Sequence, residues 1–216
     1  MERSGGSNGR LSPVVAVFEQ ALAEHGATPQ GANWRDGPSQ RARFSQFEPL
    51  WDRLDSFSLN DVGCGYGALV DHLDERPSRR IDYLGLDVAP AMVAAAQSRF
   101  AGRGDVRFLV AEAPPRVADF SVASGIFNRR DGFDDASWLA IVHETLDRVH
   151  ETSRQGFGFN CLTSYSDADR MRPDLFYADP CALFDWCKRR YSPHVTVVHD
   201  YGLYDFTILV RSAPRS

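Results

Sequence analysis

Asp61-Val62-Gly63-Cys64-Gly65-Tyr66-Gly67 is the stretch of this 216-residue chain whose residue types and spacing could do chemistry. Its alternating glycines let backbone approach a ligand closely, because no Cβ stands in the way. Asp61 adds a negative charge beside that backbone, and Asp87, 20 residues past Gly67, offers a second. An apolar approach, a glycine turn and a helical pattern, in that order, read as a nucleotide-binding crevice at the carboxyl end of a strand.

The elements that must position these residues follow from hydrophobic periodicity. Val14, Phe18 and Leu22 predict an amphipathic helix from Ser12 to about Gly26. Phe44, Phe47, Leu50 and Trp51 predict a second over 40–54. Strands are expected at 58–62, 83–87, 106–110, 120–124 and 157–162, with helices starting near Tyr66, Pro90, Asp135 and Cys181. Such alternation implies right-handed βαβ units and a parallel sheet covered on both faces. Two last strands, 195–198 and 205–210, are too close in sequence to pair except as an antiparallel hairpin. The expected fold is therefore α/β: a doubly wound, mostly parallel seven-stranded sheet with a C-terminal antiparallel hairpin and two N-terminal helices. Residues 1–10 are read as a disordered Gly/Ser-rich tail, 11–56 as a helical cap and 57–211 as a Rossmann-like core.

Composition bounds the function classes. The chain is 43% hydrophobic and 25% charged, with a net charge of −5. It has no run of five or more Lys/Arg, which argues against nucleic acid or an anionic membrane as the main partner. The four cysteines form no C-x-x-C pair and no metal-ligand cluster, so no metal site is expected. Free thiols and no apolar run long enough to span a bilayer imply a cytoplasmic protein, with a homodimer left open.

Gly63 to Ala68 fits the dinucleotide fingerprint G-x-G-x-x-A, a weak signal alone. With Asp61 included, the run Asp-x-Gly-x-Gly-x-Gly resembles the first motif of class I S-adenosylmethionine-dependent methyltransferases. The resemblance extends from about Trp34 to Arg211 and includes Asp87, Gly125-Ile126-Phe127-Asn128 after the fourth strand, and the terminal hairpin. A pyrophosphate would want a helix N-terminus free of nearby acid. S-adenosylmethionine, with its sulfonium and ammonium, favours carboxylates there. An NAD-dependent oxidoreductase and a non-catalytic cofactor-binding subunit are the lesser alternatives.

The resemblance implies site residues. Asp61, Gly63, Cys64 and Gly65 would lie at the methionyl part, and Asp87 would hold the ribose. Val88 and Met92 would flank the adenine, with Glu112 by its amine. Ser124, Gly125 and Phe127 would close over the cofactor, and Arg43 would clamp its carboxylate or else be a solvated helix charge.

The acceptor, a small molecule, is sought in the loops. Residues 165–180 form too long, polar and aromatic a run for a bare connector. Trp34, Asn128, Tyr165, Arg172, Tyr201 and Tyr204 are the expected substrate contacts, and His199, Asp200 and Tyr177 the candidate catalytic side chains. Aromatic faces and carboxylates favour a cationic or polar nitrogen, while Arg172 could grip a carboxylate bidentately. The expectation is N-methylation of an amine or guanidine on an amino-acid-like substrate. The alternative is O-methylation, with His199 as base.

Overall fold

A computed structural model describes residues 9–212. Most of the expected tail lies outside the described residues, but Arg10 does not. It pairs with Glu144 at 3.2 Å.

In chain order the elements are α1 (Ser12–His25), α2 (Gly37–Ser45), β1 (Ser56–Val62), α3 (Ala68–Asp74), β2 (Arg80–Asp87), α4 (Pro90–Arg99), β3 (Val106–Val110) and β4 (Ala118–Ala123). There follow α5 (Asp135–Glu151), β5 (Ser153–Thr163), β6 (Tyr177–Ala178), α6 (Pro180–Arg190), β7 (His194–Val198) and β8 (Asp205–Arg211). The strand order is β3-β2-β1-β4-β5-β8-β7. β1 to β5 pair in parallel, and β8 runs antiparallel to both β5 and β7. The expected reversed hairpin is thus present, with β8 inserted between β5 and β7. An eighth strand, β6, adds two residues to β5 and was not expected. Its shortness leaves no alternation to read.

The second helix differs from expectation. Asp36 caps it by accepting from the Ser39 N–H at 2.7 Å, so it starts at Gly37. Pro49 has no N–H to continue the ladder, and the chain passes into a single 3-10 turn, Glu48–Leu50. Phe44, Phe47, Leu50 and Trp51 nevertheless bury together on one face of the sheet, with Leu69, Tyr83 and Phe108. The other face holds Trp138, Val142, Leu146 and Val149 of α5 against Phe157, Phe159 and Cys161 of β5. The three β5 residues share a face, as their alternation requires. Asp179 and Pro180 start α6, where the aspartate accepts from the Cys181 N–H at 2.7 Å.

β1 has β2 on one side and β4 on the other, so strand order reverses there. The carboxyl ends of β1 and β4 therefore flank a crevice open to a ligand.

Candidate functional site

The crevice continues into a cavity of about 940 Å³, within the range of small-molecule sites. Every residue that the resemblance assigned to the cofactor lines it, from Arg43 and Asp61 to Gly125 and Phe127.

Asp61 stands at the penultimate position of β1, buried, with Oδ2 accepting from the Tyr83 hydroxyl at 2.5 Å. Burial pushes its carboxyl up to about 7, with Asp87 adding like charge and the Tyr83 bond opposing. Asp87 ends β2. Its Oδ2 accepts from the Gly65 N–H and its Oδ1 from the Ala89 N–H, each at 2.9 Å. It thus fixes the glycine turn and keeps lone pairs toward the cavity. Cys64 is buried, and desolvation, then the two acids, raise its thiol well above the ordinary value. That environment makes it inert rather than nucleophilic.

The two turns interlock through missing side chains. Gly63 has φ +78°, and a Cβ there would sit 2.0 Å from Cγ2 of Ile126. Gly125 has φ +77°, and its Cβ would lie 2.3 Å from Cη2 of Trp34. Asn160 on β5, fully buried, supports the β4 turn by accepting from the Gly125 N–H at 2.8 Å and donating to Ser124 Oγ at 3.0 Å. Val88, Met92 and Ala111 give the β2 side of the cavity an apolar wall, which α1 faces with Val14 and Phe18. Glu112 is paired with Arg148 at 3.9 Å, and Arg148 with Glu144 at 2.7 Å.

At the other end, Arg43 is buried against Asp205 and is no solvated helix charge. Its Nε donates to Oδ1 at 3.0 Å, its Nη2 to Oδ2, and its Nη1 to the Ser39 carbonyl at 2.9 Å. Trp34 covers the guanidinium, 4.5 Å from ring centroid to Cζ. Tyr66 donates to Gln40 Oε1 at 3.1 Å, with both residues in the wall. Asn128, Arg172 and Tyr204 also reach the cavity. Asn128 is largely committed to structure, since its Oδ1 accepts from the Leu162 N–H and its carbonyl from the Phe176 N–H.

Five expected acceptor-side residues do not line the cavity. His199 and Asp200 are exposed at the end of β7, because the chain turns only at 202–205 toward the site. His199 instead faces Tyr165 and Phe206, at ring-centroid distances of 6.1 and 5.9 Å. Tyr165 is 68% exposed. The Tyr177 hydroxyl accepts from the Arg172 N–H at 2.9 Å, and that of Tyr201 shares a hydrogen bond with Thr207 Oγ1 at 3.1 Å. These are loop and strand fastenings.

Sequence reasoning missed Tyr83, Asn160, Asp205 and the α1 wall. Asp205 carried a usable signal: it is an acid opening a mostly apolar strand.

The residues present fit S-adenosylmethionine. The buried Asp61 and the half-buried Asp87 suit its positive charges, and the Asp87 lone pairs suit ribose hydroxyls. The apolar wall suits a purine, and the Arg43 guanidinium retains N–H groups for a carboxylate.

Comparisons with known proteins agree with this fit. Residues 60–153 match the family model described as a methyltransferase domain. The candidate methyltransferase Rv1506c of Mycobacterium tuberculosis is 61% identical over 159 residues, covering 74% of this chain and 95% of that protein. Among solved structures, human N-acetylserotonin methyltransferase in complex with SAM superposes with a TM-score of 0.56 at 16% identity, over 95% of this chain and 67% of that one. A SAM-dependent methyltransferase from Aquifex aeolicus gives 0.56 at 18% identity, over 82% and 95%. At such identities these likenesses bear on the fold.

Proposed function

The chain belongs to the class I S-adenosylmethionine-dependent methyltransferases, and within that family we propose that it N-methylates a small, amino-acid-like amine. Bound S-adenosylmethionine supplies an activated methyl group, and this chain's residues hold donor and acceptor in line. Orientation of that kind can contribute on the order of 7–11 kcal/mol.

One observation carries the choice of nitrogen. Among the described residues lining the cavity there is no histidine and no lysine. The acids there are engaged elsewhere: Asp205 with Arg43, Glu112 and Glu144 with Arg148, Asp61 with Tyr83, and Asp87 with the glycine turn. Tyr204 donates to Asp167, a hydrogen bond that raises its phenol, and burial raises that of Tyr66. An alcohol or phenol acceptor needs a base. An amine that sheds its proton to solvent before binding brings its own lone pair. A guanidinium holds its proton far above neutral pH, so the amine is the nitrogen class retained. Arg172, exposed in the cavity wall, pairs with Asp174 through Nε and Nη2 and keeps Nη1 as the anchor for a substrate carboxylate.

A panel of amino acids, simple amines, guanidines, carboxylic acids and phenols, incubated with S-adenosylmethionine and read by S-adenosylhomocysteine formation, tests this. Turnover is expected with amines that carry a carboxylate. Turnover confined to phenols or alcohols would refute it.

A further inference from the structure

Asp61, in the cavity wall, faces Tyr83 on the neighbouring strand. Asp61 is 3% exposed, and the one side-chain hydrogen bond described for it comes from Tyr83. Among the described residues no ion pair joins it to a cation. The titratable groups that face it are Tyr83 on β2, Asp87 at the end of that strand, and Cys64 in the turn. Arg43, from α2, is committed to Asp205. An ionised carboxylate buried here would have one donor, a like charge nearby and no counter-ion, which is costly.

We propose that burial holds Asp61 as a carboxylic acid in the free protein and that a bound cationic cofactor turns it into a carboxylate, so that binding releases a proton, with Tyr83 the positioning residue whose hydroxyl sets how readily that proton leaves. This rests on the reading of the cavity as the S-adenosylmethionine site. The O–H bond of the Asp61 carboxyl breaks, its electron pair stays on the carboxylate, and the proton passes to solvent. Tyr83 remains the donor throughout, because burial and then the Asp61 charge push its own ionisation well above the ordinary phenol value. Its hydroxyl stabilises the charged form of Asp61 more than the neutral one. Without it the acid would keep its proton to higher pH. Tyr83 itself is 1% exposed and packs edge-on against Phe108 at 5.7 Å, a contact that phenylalanine would keep.

The test is calorimetric titration of S-adenosylmethionine into the full chain, in buffers of different protonation enthalpy, across a pH series. Wild type is expected to release on the order of one proton at about pH 6 and almost none by about pH 8.5. 5′-Methylthioadenosine, which lacks both cationic groups, is expected to release none. Tyr83→Phe is expected to move the half-release point upward. Where that variant binds too weakly to titrate, unfolding of its free form reads the same shift, as stability that goes on declining to a higher pH than in wild type. Binding without proton release at any pH overturns the proposal alone. So does a Tyr83→Phe variant whose affinity falls equally at every pH, with an unmoved midpoint. Absence of any S-adenosylmethionine binding by wild type overturns the cofactor reading along with it.

Discussion

Arg43 on α2 and Asp205 at the start of β8 lie 162 positions apart in sequence and meet side-on in the cavity wall, with Nε donating to Oδ1 at 3.0 Å and Nη2 to Oδ2. Asp205 is fully buried, and Trp34 covers the guanidinium. The pair fastens the N-terminal helices to the reversed strand in the cavity wall. Removing one partner strands a buried charge, so Arg43→Ala is expected to cost about 3–5 kcal/mol in denaturant unfolding. The double variant Arg43→Met, Asp205→Leu should recover most of that stability, because paired apolar replacements leave no charge unmatched. It should still bind S-adenosylmethionine more weakly, since the N–H groups left for a carboxylate are gone.

Gly63→Ala and Gly125→Ala separate two roles of the turns. Each places an L side chain in the left-handed region, costing about 1–2 kcal/mol, and each meets a neighbour at 2.0–2.3 Å. Gly63→Ala, two residues past Asp61, must displace Ile126 and is expected to lose cofactor affinity in titration. Gly125→Ala must displace Trp34 from above Arg43. It is expected to weaken cofactor affinity through Arg43 and to raise the acceptor KM as well.

On the acceptor side the contrast lies between Arg172 and the β7 end. Arg172→Ala is expected to raise the KM for a carboxylate-bearing amine on the order of tenfold with kcat nearly unchanged, as loss of uniform binding requires. His199→Ala and Asp200→Asn, away from the cavity, are expected to leave both constants unchanged. A kcat collapse in either would reinstate a base there.

Stability should also report Asp61. Its folded carboxyl, raised to about 7 by burial, holds its proton over a range where the unfolded chain has already released it. The free protein therefore loses stability as pH rises from about 4 to about 7. Asp61→Asn removes that dependence. Its melting temperature relative to wild type is expected to be higher at pH 8 than at pH 5.

The cofactor side was legible in the sequence because it is local. Asp61, the glycines and Asp87 lie on consecutive strand ends, and the βαβ pattern alone brings them together. The terminal hairpin was legible because two strands so close in sequence have one way to pair. The acceptor side depends on long-range contacts. Nothing near Arg43 in sequence announces Asp205, and nothing near Gly125 announces Trp34. His199 and Asp200 looked chemical by residue type, but a difference of two or three residues along one turn decides which side chains face the cavity. The apolar spacing of Phe47, Leu50 and Trp51 runs on past the end of α2, because Pro49 breaks the helical ladder without interrupting the buried face.

The most direct measurement is the affinity of the wild-type chain and Asp87→Ala for S-adenosylmethionine, by calorimetry at neutral pH. Asp87 holds the glycine turn through Gly65 and offers lone pairs to the ribose, so binding is expected in wild type and a loss on the order of tenfold or more in the variant. Equal affinity in the two proteins, or no binding in wild type, would contradict the placement of the cofactor in this crevice.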